Sequence, residues 1–94
     1  MAEPTVITTV KKIDAASAPV LGEALNQALD SGVKELVVDM GETTYISSIG
    51  LRVFLAAQKR VRSTGGSMVL IHVSPQVMEV FDITGFSGIL TIGD

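Results

Sequence analysis

Two short apolar runs constrain most strongly how this chain can fold: Glu35-Leu36-Val37-Val38-Asp39-Met40 and Ser67-Met68-Val69-Leu70-Ile71-His72-Val73. Each is of strand length. Because neither alternates, each reads as a strand covered on both faces, as in a parallel sheet. Parallel neighbours need a long crossover, usually a helix, and the intervening stretches have that length and period. Leu21, Ala24, Leu25, Ala28 and Leu29 make one helical stripe, opened by Asp14 or Ser17 as a cap with Pro19 in the first turn and closed by Ser31-Gly32. Leu51, Phe54, Leu55 and Val61 make a second, from about Ile49 to Thr64, capped by Ser47 or Ser48 and stopped by Gly65-Gly66. Val77, Val80 and Phe81 make a third, begun by Ser74-Pro75 and ended by Gly85. The β-branched Thr5-Val6-Ile7-Thr8-Thr9-Val10 and the short Ile89-Leu90-Thr91-Ile92 read as further strands, and Gly41 to Ile46 as a loop. Strands alternating with helices predict an α/β domain, with helices flanking a mixed, mostly parallel sheet of about four strands. No linker or repeat divides residues 1–94, so a single domain is expected.

Composition narrows the function. With 47% hydrophobic and 18% charged residues the chain is too apolar to be disordered, and the shortage of polar cover makes a partner or homo-oligomer a fair expectation. A net charge of −3 argues against nucleic acid, which needs a basic face. Without cysteine, and with His72 as the one histidine, no thiolate chemistry and no multi-histidine metal site is expected. No apolar run approaches the roughly 20 residues that span a bilayer, and Met1-Ala2-Glu3-Pro4 lacks the pattern of a secretion signal. A cytoplasmic protein with no membrane insertion is the expectation.

In open α/β sheets, sites form where strand ends meet helix starts. That edge would carry Asp14, the loop from Gly41 to Ile46, and the pair Ser47-Ser48. On spacing alone, one of the serines is an N-cap. Asp39, at a strand end, reads as the acceptor of loop N–H groups, and His72 as structural. Nucleophilic serine chemistry needs a base and an oxyanion site, which no pattern here supplies, so no enzyme, catalytic residue, metal or cofactor is expected. A small nucleotide or lipid in the loop cleft would require an apolar pocket there.

The segment Tyr45-Ile46-Ser47-Ser48-Ile49-Gly50-Leu51-Arg52-Val53-Phe54-Leu55 resembles the signature of STAS domains of the anti-sigma factor antagonist type. Matching pieces lie in order around it: Ile13-Asp14-Ala15-Ala16, Leu36 to Met40, Gly65 to Leu70, and Val80 to Phe86. The resemblance implies a STAS-like fold. It implies a phosphorylation-switched module that binds an anti-sigma factor serine kinase and so releases a sigma factor, with a phosphatase to reset it. The family's motif, Asp-Ser-Ser-Gly-Leu, aligned on Gly50 and Leu51, places the phosphorylated serine at Ser48, with Ser47 as the fallback. Ser47 stands where the family has aspartate, and Ile49 where it has a second serine. Partner contacts are implied at Asp14, Thr44, Tyr45, Ile46, Ser47, Ser48, Ile49, Gly50 and Arg52. Asp14 could equally be only a helix cap, Tyr45 could tuck into the core, and Arg52 could pair with the phosphate or remain a free surface arginine. Compared with the family, the usual first strand and a C-terminal helix are expected to be lacking. The competing expectation is a STAS scaffold or accessory subunit of a stress-sensing or lipid-transport complex.

Overall fold

The computed structural model describes residues 4–93; the Met1-Ala2-Glu3 start, read above as no secretion signal, lies outside them. In chain order the elements are β1 (Thr5–Thr8), β2 (Lys12–Ile13), α1 (Ala18–Asp30), β3 (Glu35–Asp39), β4 (Tyr45–Ile46), α2 (Ser48–Ser63), β5 (Ser67–Ile71), α3 (Pro75–Thr84), a 3-10 turn (Phe86–Gly88) and β6 (Thr91–Ile92). The main sheet has the order β1-β3-β5-β6, and each of its pairs is parallel. A second, two-stranded sheet pairs β2 with β4, also in parallel.

Each crossover in the main sheet steps in the same direction. Because such connections are right-handed, all three helices come to one face. Leu36, Val38, Met68 and Leu70 point into that layer and are buried with Leu21, Leu25, Phe54, Val77 and Phe81. The other face carries Val37, Val69 and Ile71, all half-buried. The expectation that the apolar runs are covered on both faces is therefore corrected. Val6, Val37, Val69 and Thr91 lie in one row across the four strands, and these side chains shelter one another sideways instead of under a second layer. A continuous apolar run has two physical origins, and lateral packing is the one at work here.

Local chemistry accounts for the helix boundaries. Ser47 and Ser74 are N-caps whose hydroxyls accept from Gly50 N and Val77 N, and Pro75 takes the first turn of α3, where its missing N–H costs nothing. Gly85 ends α3 in the left-handed region at φ 81°, open to glycine without strain. Each of the strands expected from the sequence is shorter. The first stops at Thr8, β3 at Asp39 and β5 at Ile71, and the last shortens to Thr91–Ile92 because Ile89 and Leu90 close the 3-10 turn on Phe86 O.

Candidate functional site

The loop expected from Gly41 to Ile46 is in part a strand. Tyr45 and Ile46 pair with Lys12 and Ile13, and the pairing extends at both ends: Thr44 N donates to Lys11 O (2.9 Å) and Ser47 N to Ile13 O (2.8 Å). Side chains alternate across so short a ladder. Ile13 and Ile46 point in and are buried, while Lys12 and Tyr45 point out, Tyr45 with 51% of its surface exposed. The choice left open for Tyr45 falls to the surface, and Ile46 belongs to the core.

On this platform α2 begins. Gly50 is buried against it: a Cβ there would stand 2.6 Å from Ile13 Cγ2 and 2.9 Å from Ile46 Cγ1, so only glycine permits the approach. Ser47, with extended backbone, turns its hydroxyl into the helix start, where it accepts from Gly50 N at 3.3 Å. Ser48 is the first helical residue. It is exposed, and among the described residues its hydroxyl makes no hydrogen bond. The two adjacent serines thus differ: one caps and the other faces solvent. Ile49 beside them is 41% exposed. Arg52, one turn along α2 from Ser48, is exposed and makes no ion pair among the described residues.

Asp14 follows β2 and flanks the same edge. Its Oδ1 accepts from Ala16 N and Ser17 N, each at 3.0 Å, while Ser17 Oγ accepts from Asp14 N (3.0 Å) and donates to Lys12 O (2.7 Å). The Ser17 N–H, then the Ala16 N–H, hold the Asp14 carboxyl below its ordinary pKa. Asp14 therefore orders the turn before α1, and Ser17 holds the N-cap position without a side-chain bond to the helix. On the far side of the edge, Asp39 Oδ1 accepts from Gly41 N (3.0 Å) and lies 3.0 Å from His72 Nδ1. The Gly41 N–H, then the His72 bond, lower its pKa. His72 itself sits at φ 57°, a conformation uncommon for a non-glycine residue.

Asp14, Thr44, Tyr45, Ser47, Ser48, Ile49 and Gly50 are therefore brought together at one end of the sheet, with Ile46 beneath and Arg52 a turn away. Sequence reasoning missed Lys12, Thr9 and Thr43, whereas Ser17, expected as a possible cap, stands at that position. Thr9 and Thr43 are buried, and their hydroxyls bond each other across 34 residues of chain. An apolar cleft of about 340 Å³ runs along β1 and α1 between Ile7, Val10, Val20 and Ala24, and reaches the platform at Ile13. No helix among the described residues is long and apolar enough to cross a membrane.

The described residues thus form an α/β domain with a one-sided parallel sheet, in which a two-strand platform sets an exposed serine at a helix start. The chain belongs to the STAS family: the model of the STAS domain matches residues 2–94. BtrV of Bordetella bronchiseptica is 39% identical over 82 residues, covering 87% of this chain and 71% of that protein. The anti-sigma-B factor antagonist of Bacillus subtilis is 38% identical over 81 residues, covering 86% and 73%. Among solved structures, the anti-sigma factor antagonist SpoIIAA in its unphosphorylated form superposes with a TM-score of 0.77 at 18% identity, over 100% of this chain and 84% of that one. Its phosphorylated form gives 0.75 at 17%, over 100% and 86%.

Proposed function

We propose that the protein is an anti-sigma factor antagonist, a cytoplasmic binding module that docks through the Tyr45–Arg52 edge and is switched by phosphorylation of Ser48. The observation that carries this reading is the division of labour in the serine pair. Ser47 Oγ is held by Gly50 N, whereas Ser48 Oγ is exposed and unbonded among the described residues, open to a kinase. Tyr45 and Ile49, exposed on either side of it, supply the apolar contact area of a docking face, and Lys12 and Asp14 flank them with charge. Unphosphorylated, the protein binds an anti-sigma factor that is itself a serine kinase, and so frees a sigma factor. Phosphorylation ends that complex, and a phosphatase restores it. The module performs no chemistry of its own in this scheme.

Incubation with the candidate kinase and ATP, followed by mass spectrometry, tests the reading, with Ser48→Ala and Ser47→Ala as controls. Phosphate on Ser48 that is absent from Ser48→Ala, together with weaker binding of the phosphoprotein to the kinase, supports it. Phosphate on Ser47 alone shifts the acceptor by one residue. No phosphate with an active kinase favours the scaffold or transport-accessory reading, for which the edge of β1, unpaired among the described residues and beside the exposed Val6, Val10 and Val20, offers a contact.

A further inference from the structure

We propose that the buried hydroxyl pair Thr9 and Thr43 is the positioning element of the serine site, a directional clamp that sets where Ser48 stands above the sheet. The inference rests on the role proposed for Ser48. Thr43 is fully buried and Thr9 is 5% exposed, an unusual setting for two hydroxyls. Thr43 Oγ1 donates to Val10 O at 2.6 Å. Its one proton being used there, the bond between the two threonines must run from Thr9 to Thr43. The result is a relay from Thr9 through Thr43 to the Val10 carbonyl, which binds the β3–β4 loop to the connection between β1 and β2. Thr9 is itself fixed to the main sheet, because its N–H donates to Asp39 O at 3.0 Å.

The platform needs such a device. Ile13, Ile46 and Gly50 meet through apolar contact, which resists separation but does not define a register. Two-residue strands add only a few backbone bonds. The relay is directional, lies immediately before Thr44, and brings the loop to the height at which Thr44 N reaches Lys11 O and Ser47 N reaches Ile13 O. Ser47 then caps α2, and Ser48 follows. Thr9 and Thr43 are buried, so they act through the backbone of residues 44–47.

Thr43→Val tests this with little change of volume, since it keeps the branched shape while removing the bond to the Val10 carbonyl and leaving the Thr9 hydroxyl only its long contact with Asp39 O (3.4 Å). Thr43→Ser keeps the hydroxyl and loses only a methyl. Amide hydrogen exchange at Thr44 and Ser47 is compared with that at the core-strand amides of Val38 and Leu70, alongside kcat/KM for phosphorylation of Ser48. In Thr43→Val, exchange at Thr44 and Ser47 is expected to quicken roughly tenfold or more beyond any change at Val38 and Leu70, and kcat/KM to fall. Thr43→Ser should stay near wild type in both readouts. Equal acceleration at all four amides, or a serine variant as defective as the valine one, would overturn the clamp in favour of plain core stability. Exchange alone decides the clamp, so a wild-type chain that is never phosphorylated defeats the proposed function without touching this result.

Discussion

Gly50→Ala puts the contact between helix and platform to the test, and its sign can be worked out. Alanine in a helix is favoured over glycine by about 0.5–1 kcal/mol, so propensity alone predicts stabilisation. Against this, the new methyl would lie 2.6 Å from Ile13 Cγ2 and 2.9 Å from Ile46 Cγ1. Both atoms are bonded directly to the Cβ of buried side chains, so they cannot swing aside as a side-chain tip would, and forcing a methyl into such packing costs about 1–3 kcal/mol. The clash wins, leaving a net loss of about 1–2 kcal/mol. With a urea slope of about 1–2 kcal/mol/M, the unfolding midpoint should fall by about 1 M. Gly22→Ala is the matched control: its Cβ would meet both Val53 methyls at 3.6 Å, ordinary contact, so propensity should prevail and the midpoint should rise by about 0.5 M. A Gly50→Ala protein as stable as wild type would refute the reasoning, as would a Gly22→Ala protein that loses as much.

Ser47→Ala removes the α2 cap and should cost about 1 kcal/mol in urea unfolding, whereas Ser48→Ala, with no bond to lose among the described residues, should leave the midpoint unchanged. Asp14 and Asp39 both have folded-state pKa values below their unfolded ones, so their stabilisation is present above the ordinary carboxyl value and is lost as pH falls through the lowered one. Asp14→Asn should therefore flatten the acid limb of a stability–pH curve below about pH 4 and leave the neutral region parallel to wild type. Arg52→Ala should weaken residual partner binding of the phosphoprotein only if the guanidinium pairs with the phosphate; unchanged affinity in calorimetry assigns Arg52 to the free surface.

Much of this arrangement was legible because it rests on strong local rules. Ser74-Pro75 and Gly85 bound α3 through a cap, a fixed φ and a left-handed turn, all written in neighbouring residues. The leucine stripe of α1 and the runs at Val37 and Val69 announced helix and strand. What those runs could not convey was the number of layers, because sideways shelter and a covering helix select the same residue types. β2 and β4 escaped for another reason: two residues carry no period, and their partners lie 33 residues apart. The serine pair was legible as a pair, but not which of the two caps α2, since both are small hydroxyls. Thr9 and Thr43 gave no warning, because β-branched residues in a strand and a loop are ordinary and only burial makes their hydroxyls matter.

In the proposed switch, two opposed effects act on a phosphate at Ser48, and their sizes decide what is switched. At the first position of a 16-residue helix the added anion meets unpaired N–H groups and the positive end of the dipole. That favours the folded module by about 0.3–1 kcal/mol, and the Ser47 cap beneath is left in place. A partner that covers Tyr45 and Ile49 must instead strip water from a group of nearly two negative charges, at several kcal/mol unless it brings cations to match. The second effect exceeds the first several-fold and acts only in the complex. Phosphorylation should therefore leave the fold intact, or slightly firmer, and weaken docking severely. The asymmetry requires one hydroxyl turned outward at the helix start while its neighbour is turned in, as Ser48 and Ser47 are. Had the outward serine been the cap, the phosphate would have broken the helix start and the binding together, and the module would switch by unfolding.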